Sequence, residues 1–519
     1  MEEARDLAVL MDARQPLVVV DSPDEPGVLE LLRRIARERE RSLFRWSLTD
    51  GLAPALSPWQ VEREPRFAEP EEVLEHLKRQ AGPGIYALCD LHPLLPERPR
   101  AQRLLKDLAL REDPGGLTLV LIGWRVELPE ELARHATRLA LDLPGRGEIA
   151  ALVREEARRF AAARAGRRVR AEPQVLERLV DSLRGLSRGE VRRLVRVAIH
   201  DDGALTAADL PQVNAAKFRL LDWGEAIHYS WETSDFAQVA GMEGLREWLE
   251  LRREAFAGAQ EEDAPRGILL LGVQGAGKSL AARAVAGCWR LPLLRLDVGA
   301  LFNKYYGETE RNLREALALA ERMEPCVLWI DEIEKGFATG DADGGLAQRV
   351  LGTFLTWLQE RRGRVFVVAT ANEIARLPAE LLRKGRFDEI FFVDLPDAPT
   401  RREIFRIHLR ERGLDPAAID LESLVEATEG WSGAEIEQVV VGARYRAGGA
   451  PTTEDLLAEV FATAPLSRIM AERIAALRHW ARERGLRSVR TPLRETPPRD
   501  SATPAIDPTS NPGEGPPSA

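Results

Sequence analysis

Lys278 and Ser279 close the run Gly272-Val273-Gln274-Gly275-Ala276-Gly277-Lys278-Ser279, which has the spacing G-x-x-x-x-G-K-[ST] of a phosphate-binding loop. In such a loop the backbone N–H groups and a helix N-terminus face the phosphates of a nucleotide. The Lys278 ammonium can then reach the β- and γ-phosphates, and the Ser279 hydroxyl can ligate Mg²⁺. A second loaded pair, Asp331-Glu332, lies 53 residues after Lys278 and ends the apolar run Cys326-Val327-Leu328-Trp329-Ile330. Asp331 suits the Mg²⁺ shell, and Glu332 suits orienting and polarising an attacking water. Asn372 ends another apolar run, Val365 to Ala371, where its amide could hydrogen-bond the γ-phosphate or that water. Arg383 and Arg386 flank Lys384-Gly385. They are too far along the chain to serve the Lys278 phosphate within one subunit, but across a ring interface they could act as arginine fingers.

These side chains need elements to carry them. Gly267 to Leu271 reads as a short buried strand and Leu280 to Trp289 as an Ala-rich helix, so strand, loop and helix come in the order phosphate binding requires. The nucleotide-binding α/β part is expected over 236–397, a helical lid over 398–465 and one more amphipathic helix over 466–488. From 489 to 519 the chain is rich in Pro, Ser, Thr and Gly with few apolar residues, which predicts a disordered tail. Residues 211–235 are expected to link this half to the first as a helix and an extended piece.

Residues 1–210 also alternate. Leu17–Val20, Ser42–Trp46, Ile85–Cys89 and Leu117–Ile122 read as strands, and Val28–Arg39, Glu71–Arg79, Ala101–Leu110 and Glu148–Ala163 as helices. That predicts a mostly parallel sheet with helices on its faces. This half reads as a worn copy of the second. Leu141-Asp142-Leu143-Pro144 echoes Val393-Asp394-Leu395-Pro396, and Gly185-Leu186-Ser187-Arg188-Gly189-Glu190-Val191 echoes Gly430-Trp431-Ser432-Gly433-Ala434-Glu435-Ile436. The loop after Val20 has no Lys, and it carries Asp21, Asp24 and Glu25 where phosphates would sit, so charge repulsion opposes binding. Asp90 could mimic an Mg²⁺-ligating Asp, but Leu91 follows where a catalytic Glu is needed. The copy is expected to be non-catalytic.

Composition narrows the partners. The 519 residues are 30% charged with a formal net charge of -10, which argues against a dedicated nucleic-acid binder. No apolar run approaches the roughly 20 residues that span a bilayer, so no membrane partner is expected. The acidic N-terminus lacks the pattern of a secretory signal. The three cysteines, Cys89, Cys288 and Cys326, lie in apolar runs, as buried thiols of a reducing cytoplasm would. No His or Cys cluster has metal-ligand spacing, which leaves the nucleotide's Mg²⁺ as the expected metal.

Taken in order, the motifs from Phe236 to about Pro465 resemble the ATPase module of the AAA family proper, within the AAA+ superfamily. The stretch from Asn372 through Arg383 and Arg386 resembles that family's second region of homology, which runs from its sensor asparagine to its arginine fingers. Gly430 to Glu435 resembles the lid signature that contacts adenosine, and Val239-Ala240-Gly241-Met242 the segment that cradles adenine. The resemblance implies nucleotide contacts from Val239, Gly241, the loop Gly272 to Ser279 with Leu280, and Gly433 and Ala434. It implies catalytic roles for Lys278, Glu332, Asn372, Arg383 and Arg386, and Mg²⁺ ligation by Ser279 and Asp331. Asn303-Lys304-Tyr305-Tyr306-Gly307-Glu308 resembles the first pore loop, in which the residue matching Tyr305 grips a polypeptide. Across most of the chain the layout resembles the bacterial and plastid AAA proteins named for the forty-sixth hypothetical chloroplast open reading frame, some of which carry less aromatic pore loops.

The resulting expectation is an α/β protein: a phosphate-loop AAA+ module with a helical lid, preceded by a degenerate AAA-like α/β domain. It would bind ATP and Mg²⁺, hydrolyse ATP as a homo-oligomeric ring, expected to be a hexamer, and remodel or unfold protein substrates through a central pore. The alternatives are a nucleotide-dependent switch that binds partner proteins without threading, and, against the acidic balance, a nucleic-acid remodeller.

Overall fold

The computed structural model describes residues 7, 9–11, 13, 15–55, 66–80, 82–111, 116–124, 126–140, 143–164, 169–200, 203–221, 226–230, 236–258, 264–301, 308–337, 344–361, 363–383 and 385–491. The chain divides into two compact units, Met1–Gly224 with Glu315–Pro325, and Glu225–Arg314 with Cys326–Ala519.

The first unit holds strands β1 (Leu17–Asp21), β2 (Leu43–Ser47), β3 (Gly51–Pro54), β4 (Gly84–Cys89), β5 (Leu117–Gly123) and β6 (Thr137–Ala140). They form one sheet in the order β3-β2-β4-β5-β1-β6. Every pairing is parallel except the β2–β3 hairpin. β4 and β5 are buried along their whole length, as continuous apolar runs between helical layers must be. Helix α1 (Glu25–Glu38) follows β1, and α2 (Arg146–Ala163) and α3 (Arg188–His200) belong to the helical segment after β6. The expected strands and helices are present. β3 and β6 are additional, being too short to leave a periodic signal.

The second unit holds β7 (Ile227–Ser230), β8 (Gly267–Gly272), helix α4 (Lys278–Trp289), β9 (Leu293–Leu296), β10 (Cys326–Ile330), β11 (Val365–Ala371) and β12 (Glu389–Val393). The lid helices α5 (Ala398–Glu411) and α6 (Gly433–Ala447) come next, then α7 (Ala471–Glu483) and β13 (Arg487–Ser488). The sheet order is β13-β12-β8-β11-β10-β9-β7. α4 packs its alanines flat on this sheet, and Ala281, Ala284 and Val285 lie in the same core as Ile268, Leu270, Phe366 and Phe391. The lid has its own core around Phe405, Leu424, Trp431, Ile436, Val440 and Leu456.

Ranked by chain position, the five parallel strands common to both sheets run fifth, first, fourth, third, second, and each sheet has an antiparallel strand at the edge beside the second; β13 is a sixth parallel strand, outside the fifth of the second sheet alone. The worn-copy reading therefore extends from scattered sequence echoes to an identical strand order. Mixed α/β architecture with a lid and a preceding AAA-like unit is the fold the motifs implied.

Residues 211–235, expected to join the halves as a helix and an extended piece, carry the end of the helix Asp209–Leu220 and then β7, which pairs antiparallel with β9 at that sheet's edge. Two expected boundaries are corrected. The helix expected over 466–488 is broken into Leu466–Ile469 and α7, and then gives way to β13. Val489, expected to open the tail, belongs to the folded second unit. β13 pairs in parallel with β12, Val489 is 1% exposed, and its carbonyl accepts from the Leu245 amide at 3.0 Å. One apolar side chain and a free sheet edge hold this segment despite its polar neighbours. Residues 492–519 lie outside the described residues. Among the described residues no helix is long and apolar enough to cross a membrane.

Candidate functional site

Gly272 ends β8, and the loop turns through Gly275 (φ 75) and Gly277 (φ 95) into α4, whose first residue is Lys278. Both left-handed conformations favour glycine and point successive backbone N–H groups inward. The Lys278 Nζ is buried and donates to the carbonyls of Gly272 at 3.0 Å and Val273 at 2.7 Å. Burial pushes its pKa down to about 8, and the carboxylates of Glu334, Asp331 and Glu332 oppose that shift. The loop thus holds a buried cation against its own carbonyls.

Strand register carries the other groups to this loop. β10 and β11 pair in parallel, Ile330 opposite Ala369, which puts Asp331 beside Thr370. The Thr370 hydroxyl donates to Asp331 Oδ1 at 2.7 Å and accepts from the Glu332 amide at 2.9 Å. Ser279 Oγ donates to the same Asp331 oxygen at 3.3 Å. Glu332 adopts φ 49, a conformation rare outside glycine, and its Oε1 accepts from Asn372 Nδ2 at 2.8 Å. Its other oxygen pairs with the Lys335 ammonium. The structure therefore brings Lys278, Ser279, Asp331, Glu332 and Asn372 together at the ends of β8, β10 and β11.

Two side chains of the candidate site escaped the sequence reading. Thr370 links Asp331 to Glu332 from the neighbouring strand, and only its place one residue from the end of an apolar run could have singled it out. Glu334 is buried, and its Oε1 accepts from the Asn372 amide at 2.9 Å. Desolvation raises its pKa. It sits one residue past Glu332 and Ile333, and a third acidic residue on that turn was the available signal.

Ser279 and Asp331 present two hard oxygen donors 3.3 Å apart. This fits Mg²⁺, which takes few protein ligands and completes its shell with phosphate oxygens and water. Among the described residues there is no group of three or more His, Cys, Asp or Glu placed to hold a metal ion.

On the lid side, Gly241, Met242, Ala276, Thr400, Ile404 and Gly433 line one small cleft. Val239 is buried nearby in the same core as α4, with Leu280 packed against it. The Ser432 hydroxyl caps α6 in a capping box with Glu435, and the next free amide of that turn, Ala434 N, donates to the Gly275 carbonyl at 3.2 Å. The lid thus touches the phosphate loop backbone directly. A separate cavity of about 460 Å³ abuts Gln274 and Asn372 and is walled by Leu466, Met470, Ile474, Leu477 and Trp480. Its apolar wall does not suit a triphosphate.

Arg383 is exposed just after the turn Ala379–Leu382, and the Arg386 guanidinium donates to the Glu380 carbonyl at 2.7 Å. The structure does not gather either arginine with Lys278. Lys304, Tyr305, Tyr306 and Gly307 lie outside the described residues.

The worn copy is corrected at one position. Register pairs Asp21 with Gly123 and Cys89 with Ile122, as it pairs Leu271 with Ala371 and sets Asp331 beside Thr370. Cys89 therefore holds the place of Asp331, and Asp90, at φ 51, the place of Glu332. Burial and the Glu25 carboxylate push the Cys89 thiol's pKa up, which keeps it neutral and unsuited to Mg²⁺. Trp124 stands where Asn372 does.

Comparison with known proteins agrees with this geometry. Residues 268–395 match the model of the ATPase family associated with various cellular activities (AAA), and 418–447 match an AAA+ lid domain. Residues 3–141 and 147–223 match the N-terminal and second domains of SpoVK-like AAA ATPases. The chain is 34% identical over 489 residues to the uncharacterized AAA domain-containing protein ycf46 of Trieres chinensis, covering 92% of this chain and 96% of that protein. It is 32% identical over 492 residues to ycf46 of Pyropia yezoensis, covering 93% and 98%. Over 192 residues it is 40% identical to the proteasome-activating nucleotidase of Aeropyrum pernix, covering 36% of this chain and 46% of that one.

Proposed function

Because the chain belongs to the AAA ATPases, among the ycf46-like proteins, we propose that it is an ATP-hydrolysing ring that remodels or unfolds protein substrates. One observation carries the hydrolytic part of this reading: Asp331, Glu332, Ser279 and Asn372 meet within hydrogen-bond distance beside the phosphate loop. In that arrangement Lys278 releases its loop carbonyls and binds the β- and γ-phosphates of ATP. Ser279 and Asp331 would hold Mg²⁺, which would supply charge neutralisation on the phosphate oxygens. Glu332 takes a proton from the attacking water, and Asn372 orients Glu332 and the water together. Gly241, Thr400 and Gly433 accept the base and ribose between the α/β part and the lid.

Arg383 is exposed and so is free to reach the phosphates of a neighbouring subunit, with Arg386 beside it. A homo-hexameric ring, lined by Tyr305 and Tyr306 with Lys304 and Gly307 shaping the loop, supplies that neighbour and a pore. The relative named as a proteasome-activating nucleotidase supports a protein as the substrate. The small number of cysteines, all of them free, supports a cytoplasmic location as part of this proposal.

Glu332→Gln tests the hydrolytic reading. Turnover falls about 10²–10⁴-fold while ATP still binds; an unchanged rate would remove Glu332 from the role of base. Tyr305→Ala tests the pore. The variant keeps its ATPase rate and loses unfolding of a tagged protein captured by the Glu332→Gln ring. Remodelling that survives intact would leave the regulatory switch as the better account.

A further inference from the structure

The register that equates the two units also equates their nucleotide-facing positions. Asp21 pairs with Ala140 as Leu271 pairs with Phe392. Counting on from there, Glu148 in the first turn of α2 stands where Thr400 stands in α5. Ser187 and Glu190 satisfy each other's backbone amides before α3, as Ser432 and Glu435 do before α6. Arg188 therefore stands where Gly433 does, and Gly189 where Ala434 does. Gly185 (φ 78) and Gly430 (φ 80) repeat the turn that precedes them.

At these matched places the first unit carries its own charged groups. The Asp24 carboxylate accepts from Gly27 N at 3.0 Å, in the first turn of α1, and from Gly189 N at 3.0 Å, in the first turn of α3. One carboxylate thus joins the helix after β1 to the helix that in the second unit belongs to the lid. In the second unit the corresponding lid amide, Ala434 N, reaches the phosphate loop's own carbonyl instead. Across the place of the base cleft, Arg188 clasps Glu148 with two hydrogen bonds, Nε to Oε1 at 2.6 Å and Nη2 to Oε2 at 3.1 Å. Thr400 and Gly433 leave that cleft open in the second unit.

We propose that the first unit is self-liganded: the Asp24 carboxylate replaces a nucleotide phosphate and the Arg188–Glu148 pair replaces its base, so that its helical segment is held closed without nucleotide. The electrostatics favour this substitution, since an acidic side chain satisfies amides at two helix N-termini at once. The connection from β1 to α1 runs only from Ser22 to Asp24, too short to wrap a phosphate chain. The chain then has one nucleotide-responsive unit and one that keeps a fixed shape through the ATP cycle.

Hydrogen exchange and nucleotide titration of the full chain test this. Asp24→Ala speeds exchange at Gly27 and Gly189 roughly tenfold or more, because a charge-assisted acceptor is lost from both amides. Asp24→Asn, which keeps an acceptor oxygen and the shape of the side chain, gives a smaller acceleration at the same two amides and serves if the alanine variant does not fold. Wild-type protein binds one equivalent of Mg²⁺ with a non-hydrolysable ATP analogue per chain, and Lys278→Ala binds none. A second equivalent per chain, analogue bound by Lys278→Ala, or unchanged exchange at Gly189 in both Asp24 variants would overturn the proposal.

Discussion

Asn372 holds Glu332: the side-chain amide donates to the carboxylate at 2.8 Å, while Glu334 holds the backbone of Asn372 from the other side at 2.9 Å. The residue expected to sense phosphate is thereby tied to the residue expected to polarise water, so each can feel a change at the other. Asn372→Ala removes a charge-assisted hydrogen bond, which is worth about 1.5–3 kcal/mol, or roughly tenfold to a hundredfold. Steady-state kinetics should show kcat falling by that factor with KM for ATP little changed. A rise in KM alone, with kcat unchanged, would mean that Asn372 serves binding only.

Lys278 predicts a pH dependence. Its pKa is about 8 in the folded protein against 10.5 for a free lysine. Below pH 8 the amine is charged in both folded and unfolded chains, and the full burial penalty of roughly 3 kcal/mol is present. Between pH 8 and 10.5 the unfolded chain binds more protons, so this penalty is progressively relieved as pH rises. Lys278→Met should therefore be more stable than wild type at pH 7, with the difference shrinking towards pH 10.5. Paired urea titrations across that range read it directly.

Gly275 is tested by a methyl group. An added Cβ would sit 2.9 Å from Ser432 Oγ and 3.4 Å from Ala434 Cβ, on a residue with φ 75. Gly275→Ala incurs about 1–2 kcal/mol of backbone strain and pushes the lid turn off the loop. Isothermal titration should find ATP affinity lowered about tenfold or more. Unchanged affinity would show that the lid contact at Gly275 is absent when nucleotide binds.

Val489 tests the corrected C-terminal boundary. Its side chain lies in the core shared by Leu245, Trp248 and Phe391. Val489→Ala should cost about 1–2 kcal/mol by leaving a small cavity, read as a lowered urea midpoint. A chain ending at Thr491 should match the full chain in that midpoint, and one ending at Glu483 should not.

The sequence by itself determined the family and the motifs that mark the candidate site. The phosphate loop is local, since its strand, glycines, Lys278 and Ser279 are contiguous. Asp331-Glu332 and Asn372 each end a buried strand, which an apolar run announces. The lid signature from Gly430 to Glu435 is likewise a local cap. Only the tertiary structure decided which of these meet. Register between β10 and β11 brought Thr370 to Asp331, and the same register moved the counterpart of Asp331 from Asp90 to Cys89. It also showed Asp24 and Gly189, 165 residues apart, sharing a hydrogen bond. Parallel strands are paired through long crossovers, so their alignment leaves no trace in any one segment. Val489 was misread for a related reason: one apolar residue in a polar stretch carries no periodicity, and its burial depends on a sheet edge built more than ninety residues earlier.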